Sequence, residues 1–168
     1  MKNLIIYRII TYILLFVAAF LSVGVFTSLL AALSNPVALL PLFLLACIII
    51  YSYGSWRFLV RGIDKNIPCK ITLRDLIKVN GYITLGLASL CLFQMIVVLT
   101  QPGMINSILE QVKAAQPAGQ QMTEEVLLKW THFTLRFLMA YSSLLIIHTI
   151  LTFRLVKRYP EVFEPPAK

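Results

Sequence analysis

Residues 9–33 read IITYILLFVAAFLSVGVFTSLLAAL, a run with no charged side chain anywhere in it. A helix that crosses the roughly 30 Å of bilayer hydrocarbon needs about 20 apolar residues in succession. This run exceeds that length, and after Ser34, Asn35 and Pro36 a second run follows at residues 37–60, VALLPLFLLACIIIYSYGSWRFLV. Because the residues between the runs can start a helix but leave no room for a loop, we predict a tight hairpin of two membrane-spanning helices.

Two further apolar runs, at residues 81–100 and 130–153, extend the pattern. The 168-residue chain is 59% hydrophobic and only 13% charged, whereas ordinary globular chains are roughly 45–50% apolar and about 25% charged. A water-soluble fold could not bury that much apolar surface. We therefore predict an all-α polytopic integral membrane protein, a single domain over residues 1–168 in which four transmembrane helices form a bundle.

The first run has an alternative interpretation as a cleaved signal peptide. Lys2 and Arg8 resemble the positive start of such a peptide, and Ala31 and Ala32 are small, as at a cleavage site. The apolar run is well beyond the usual length of about 7–15 residues, which favours a retained membrane anchor.

Basic residues are distributed unevenly between the predicted connections. One side of the membrane receives Lys2, Arg8, Arg57, Arg61, Lys65, Lys70, Arg74, Lys78, Arg154, Lys157, Arg158 and Lys168. The other side receives Lys113 and Lys129, with three glutamates near them. Since cytoplasmic segments are rich in Lys and Arg, we expect both termini in the cytoplasm, and the membrane to be a bacterial inner (plasma) membrane.

The net charge of +8 has two possible explanations. In a soluble protein it would suggest nucleic-acid binding, but no recognition motif supports that and we expect no nucleic-acid partner. Anionic inner-leaflet lipids attract cations near a membrane by about 1 kcal/mol each. The residues predicted to contact those lipids lie around the basic cytoplasmic loop and are Arg57, Arg61, Lys65, Lys70, Arg74 and Lys78.

Both longer connections are predicted to contain helix. The basic cytoplasmic loop, residues 61–80, becomes helical before the third span begins. The outer loop, residues 101–129, is predicted to hold a short amphipathic helix at residues 104–115, because its apolar residues repeat every three to four positions. Thr123 is suited to cap the N-terminus of the fourth helix, which places that start ahead of the fourth apolar run.

Aromatic residues cluster near the predicted ends of the spans. They are Tyr7, Tyr12, Tyr51, Tyr53, Trp56, Tyr82 and Tyr159 at inner ends, and Trp130 at an outer end. We interpret this set as the aromatic belt that membrane proteins place at the lipid headgroups.

Small residues recur on the first and third helices at spacings that share a helix face. Lipid tails give helices no hydrophobic reason to associate, so small residues that let backbones approach are the usual contact points. The candidate helix-packing residues are Ala18, Ser22, Gly24, Ser28, Ala32, Gly86 and Ser89. They predict contacts inside the bundle or with a partner.

Four polar side chains in the fourth span form a candidate intramembrane polar site: His132, Arg136, Tyr141 and His148. Ionisable residues inside a membrane are expensive and are a functional-site hypothesis by default. Arg136 also has a structural interpretation, because its side chain can extend to the outer headgroups. Tyr141 and His148 share a helix face, where they either hydrogen-bond to neighbouring helices or line a path.

The sequence predicts no catalytic, cofactor or metal site. His132 and His148 are too far apart on one helix to bind a single metal ion, and Cys47, Cys69 and Cys91 lack the spacing of metal ligands. The absence of Asp and Glu from the four apolar runs counts against a cation-coupled carrier.

Three functional hypotheses follow from these features. The first is a non-enzymatic subunit or accessory (scaffold) protein of a membrane complex, whose partners are the lipid bilayer and either another membrane protein or further copies of itself. The second is an oligomeric channel or carrier with an anion-favouring path along the candidate polar site. The third is a membrane-embedded enzyme that modifies lipid.

Overall fold

The computed structural model describes residues 2–33, 36–116 and 123–163. In these residues the long helices are α1 (Lys2–Ala32), α2 (Pro36–Arg57), α3 (Ile71–Thr100), α4 (Pro102–Ala115) and α5 (Glu124–Arg158). A π-helical segment, Phe58–Asp64, continues α2, and a 3-10 turn, Pro160–Phe163, follows α5. Ser34 and Asn35 of the predicted hairpin connection, part of the outer loop, and Lys168 lie outside the described residues.

Four helical stretches are long and apolar enough to cross a membrane: Leu4–Leu29, Val37–Asp64, Ile71–Thr100 and Glu124–Arg158. The structure thus confirms an all-helical class with four candidate spans in the described residues. The third helix begins at Ile71, well before its apolar run, and the fourth begins directly after Thr123, both as predicted. The short outer-loop helix also forms, starting two residues earlier than expected, at Pro102.

The helices differ in how their apolar residues are arranged. The helices α1, α2 and α3 are apolar on almost every side, as expected of segments surrounded by lipid or other helices. The helix α4 is amphipathic instead. The first three helices therefore have no face that periodicity alone marks as buried.

The chain divides into two compact units. The first unit is Met1–Leu87 with Leu145–Lys168, and the second is Ala88–Leu144. The helices α3 and α5 each contribute residues to both units. The surroundings of one helix can therefore be compared between the two units.

The first unit has an apolar core where the π-helical segment meets the 3-10 turn. Phe58 stacks on Phe163 of the 3-10 turn, with ring centroids 5.2 Å apart. Gly62 lies so close to this turn that an added Cβ would be 2.5 Å from Cγ1 of Val162. The turn can pack here because the π-helical segment presents a residue without a side chain at the point of closest approach.

Four chain segments meet at this end of the first unit. Arg8 near the start of α1 forms an ion pair with Asp64 at the end of the π-helical segment, at 2.6 Å. The backbone N–H of Cys69 donates to the carbonyl of Val162 at 2.7 Å. We call this the basic end, and it comprises the start of α1, residues 57–78 and residues 154–163.

The second unit joins α4 to the beginning of α5. Leu109 of α4 and Leu127 of α5 are buried. Lys113 near the end of α4 forms an ion pair with Glu124 at the first position of α5, at 3.0 Å. The glutamate also suits the positive N-terminal end of the helix.

Candidate functional site: a buried histidine and a basic end

His148 lies on α5 in the first unit and its side chain is completely buried. Its Nε2 lies 2.9 Å from the Thr11 hydroxyl on α1, and its Nδ1 lies 2.8 Å from the Tyr51 hydroxyl on α2. One imidazole ring therefore links three helices.

The direction of these hydrogen bonds follows from the donors available. The Thr11 hydroxyl donates to the carbonyl of Tyr7 at 2.7 Å, so its oxygen is left to accept a hydrogen from Nε2 of His148. In a neutral ring Nδ1 is then the acceptor, and the Tyr51 hydroxyl donates to it. We assign this tautomer from the hydrogen-bond network.

Two more side chains complete the network. Thr152 Oγ1 lies 2.9 Å from the Tyr51 hydroxyl and 3.2 Å from the Tyr7 hydroxyl. The Tyr7 ring also stacks on the His148 ring, with centroids 4.8 Å apart and planes only 2° from parallel. We call Tyr7, Thr11, Tyr51, His148 and Thr152 the polar core.

The polar core is suited to holding helices together. Each net hydrogen bond contributes about 1 kcal/mol, and a buried polar group without a partner costs about 1–3 kcal/mol. Both ring nitrogens of His148 are engaged, and its side chain is fully buried. A general base needs a face that substrate or water can reach, and this buried ring has none. The geometry therefore favours a structural role for His148.

The other three predicted polar residues belong to the second unit. His132 is half-buried and Arg136 is exposed, and Arg136 forms no hydrogen bond or ion pair within the described residues. Tyr141 stacks on Phe137 at 6.2 Å, and its buried hydroxyl has no hydrogen-bond partner among the residues described. The structure thus gives His148 its partners on α1 and α2, whereas the Tyr141 hydroxyl has none in the described part of the chain.

Sequence reasoning missed the members of the polar core that lie on helices other than α5: Tyr7, Thr11 and Tyr51. We assigned the two tyrosines to an aromatic belt, but both are fully buried, and so cannot lie among headgroups. The belt interpretation fits Tyr12 and Tyr82 better, because 48% and 66% of their surfaces are exposed. The one available signal was the spacing of four between Tyr7 and Thr11, which places them on the same face of α1.

All six predicted lipid-contacting cations lie at the basic end. Arg57, Arg61 and Lys70 line one cavity of about 240 Å³ together with Cys69. Burial raises the pKa of the Cys69 thiol, and the positive charges of Arg61 and Arg57 offset part of that rise. Arg74 and Lys78 line a second cavity, and Lys65 is exposed on the connection.

The candidate helix-packing residues divide into two groups. Ala18 and Ala32 are buried within the chain, and Ser22 is half-buried with its hydroxyl donated to the carbonyl of Ala18. A Cβ added at Gly24 or Gly86 would meet nothing within 4 Å. Ser28 and Ser89 are exposed as well. This second group leaves room for close approach by another helix, so its part in packing stays a prediction.

Comparisons with known proteins identify no relative of this chain. No protein family model, curated protein or solved structure matches the chain. Inferences about function therefore rest on its own residues and their contacts.

Proposed function

We propose that the chain is a non-enzymatic integral membrane protein that crosses the bilayer four times as a helical bundle. In this proposal it serves as a subunit or accessory protein of a membrane complex. The proposal rests on one observation: contacts within the chain bury only a small part of its apolar helices. In the most apolar window of each candidate span, between 17% and 33% of the residues are buried.

The surface left over is strongly apolar. Large side chains such as Phe16, Phe26 and Phe93 have 66%, 75% and 68% of their surfaces exposed. Apolar surface costs about 25 cal/mol for each Å² left in water, and exposed apolar patches of this extent are typical of surfaces that face lipid or a partner. Lipid and neighbouring helices are the surroundings that stabilise such a chain.

The polar core supports a structural rather than a catalytic role. Its hydroxyl and imidazole groups bond to one another across α1, α2 and α5. Inside a membrane such contacts fix the rotation of helices about their axes, because lipid offers a polar group no alternative partner.

The basic end supports an orientation with both termini in the cytoplasm. The ion pair between Arg8 and Asp64 brings the start of α1 beside the end of the π-helical segment. The hydrogen bond from Cys69 to Val162 brings the connection after α2 beside the 3-10 turn. Cations from all four segments thus collect at one end, as the bias of Lys and Arg toward the cytoplasm requires.

Extraction and copurification test the proposal. The chain should stay with vesicles through an alkaline carbonate wash. In mild detergent it should purify and crosslink with a second membrane protein or with further copies of itself. Release by carbonate would contradict membrane insertion, and a monomer with no crosslinked partner would contradict the subunit role.

A matched pair of variants on α1 sharpens the partner test. Gly24→Leu fills the space next to the exposed small-residue face and should reduce the crosslinked species about tenfold or more, because helix backbones could no longer approach. Ala19→Leu adds comparable bulk at an exposed position on a different face of α1 and should leave crosslinking unchanged. Equal effects of the two variants would show that this face is not the contact.

A further inference from the structure

A cavity of about 490 Å³ opens at the basic end between α3 and α5. Three cations line it: Arg74 and Lys78 from α3, and Lys157 from α5. Arg74 and Lys78 are four residues apart and therefore lie on the same face of α3. Lys157 is far away in sequence, so only the fold brings these positive charges to one cavity.

The remaining walls are mainly apolar and aromatic. Tyr82 lies one helical turn beyond Lys78 on the same face of α3, and Phe153 and Val156 face it from α5. The rings of Tyr82 and Phe153 are 4.8 Å apart. Gly81 lets Phe153 come this near, because an added Cβ would be only 2.7 Å from its Cε1. The cavity is thus lined partly by cations and partly by an aromatic wall.

No carboxylate is among the residues that line this cavity. Asp75 is the acidic side chain nearest in sequence, and its Oδ1 lies 3.5 Å from Nε of Arg74. That distance makes a weak contact, and the Asp75 side chain is largely in solvent. It leaves the terminal guanidinium nitrogens of Arg74 available to an anion.

We propose that this cavity binds the phosphate headgroup of an anionic phospholipid. Lys78, Lys157 and Arg74 supply positive charge and hydrogen-bond donors for the phosphate oxygens. Tyr82 and Phe153 contact the apolar part of the same molecule. The inference rests on the proposed function in one respect, since the basic end must lie at a membrane surface. Any basic loop attracts anionic lipid diffusely, and the proposed cavity would be a discrete binding site in addition to that attraction.

A phospholipid would contact both the cations and the aromatic wall of the cavity. A free phosphate ion would engage the cations but leave the aromatic wall without a contact. A lipid phosphate brings glycerol and acyl carbons to that wall, where burial of apolar surface adds affinity.

Native mass spectrometry of the purified full chain in a mild non-ionic detergent tests the site. The probes are phosphatidic acid, phosphatidylcholine with the same acyl chains, and inorganic phosphate. The chain should retain phosphatidic acid in preference to phosphatidylcholine. Lys78→Gln with Lys157→Gln should weaken that binding roughly 25-fold, at about fivefold for each cation removed.

Arg154→Gln with Arg158→Gln is the matched control, because it removes the same charge from the same end but outside this cavity and outside the predicted lipid-contacting residues. The control should change binding of phosphatidic acid less than twofold. Equal losses of binding in the two double variants would overturn the proposal in favour of diffuse attraction. No loss in either variant would also overturn it, because Lys78 and Lys157 would then not bind the lipid.

A third variant identifies the source of the phosphate. Tyr82→Ala should weaken binding of phosphatidic acid by about threefold to tenfold while helical circular dichroism is unchanged. Displacement of phosphatidic acid by inorganic phosphate at equal concentration would overturn the lipid assignment and identify a free anion as the ligand. Detergent removes any dependence on partner or orientation, so failure here is distinguishable from failure of the proposed function.

Discussion

The two halves of α5 carry similar polar residues in different surroundings. In the first unit, His148 and Thr152 bond to Thr11 and Tyr51 on other helices. In the second unit, the buried hydroxyl of Tyr141 has no hydrogen-bond partner among the residues described. Polar residues in an apolar helix are therefore not equivalent. Where each polar atom has a partner on another helix the residue holds the fold together, and where it has none the residue costs stability or awaits a partner.

Removing the imidazole from the partnered half should have the largest effect. His148→Ala deletes the link between α1 and α2 and leaves a cavity against the Tyr7 ring. Two lost hydrogen bonds and the cavity should together lower the free energy of unfolding by about 4 kcal/mol. Reversible unfolding in mixed detergent measures this change. A loss below about 1 kcal/mol would show that the polar core does not hold the first unit together.

Two tyrosine hydroxyls give the sharpest contrast between the halves: the hydroxyl of Tyr51 on α2 bonds to the half of α5 in the first unit, and the hydroxyl of Tyr141 lies in the other half. Tyr51→Phe removes a hydroxyl bonded to His148 and Thr152, and should cost about 2 kcal/mol. Tyr141→Phe removes a hydroxyl that has no partner within residues 2–33, 36–116 and 123–163, and should be neutral or raise stability slightly, because a buried polar group without a partner is removed. The same unfolding assay compares them, and equal losses would contradict the distinction between the halves.

Two glycines of α3 extend the comparison to packing. Gly81→Ala would place a Cβ 2.7 Å from the Phe153 ring and should cost about 1–2 kcal/mol through crowding. Gly86→Ala meets nothing within 4 Å and should be neutral or stabilising by up to about 1 kcal/mol, because alanine favours the helix. The difference in unfolding free energy should disappear if Phe153 does not pack against α3.

Arg136 should give the smallest effect. It is exposed on α5 and forms no ion pair or hydrogen bond within the described residues. Arg136→Gln should therefore change the unfolding free energy by less than about 0.5 kcal/mol. Anion flux in proteoliposomes should also be the same for the variant and the parent chain. Loss of a measurable flux would favour the channel hypothesis and identify Arg136 as part of a path.

The sequence predicted where the helices lie along the chain much better than it predicted which face of each helix is buried. Apolar runs locate candidate spans because length and composition are properties of each segment alone. The start of α5 after Thr123 was predictable from capping. The start of α3 ahead of its apolar run was predictable from apolar residues that repeat every three to four positions in the loop.

The partners of His148 were not predictable in the same way. Because α1 and α2 are apolar on nearly all sides, periodicity does not say which side meets α5. A tyrosine near the end of a span has the same sequence context whether it faces headgroups or, like Tyr7 and Tyr51, the interior. The cavity with Lys157 likewise depends on contacts between distant segments.

The most direct test of membrane insertion with the basic end in the cytoplasm compares two single cysteines in intact cells. Cys47, Cys69 and Cys91 are first replaced by alanine, and then Lys65→Cys reports on the basic end and Glu110→Cys on α4, both positions being exposed. A membrane-impermeant maleimide should label the Glu110→Cys chain at once, and the Lys65→Cys chain only after the membrane is permeabilised. Labelling of Lys65→Cys in intact cells, or of neither chain before permeabilisation and both after it, would contradict the proposed topology.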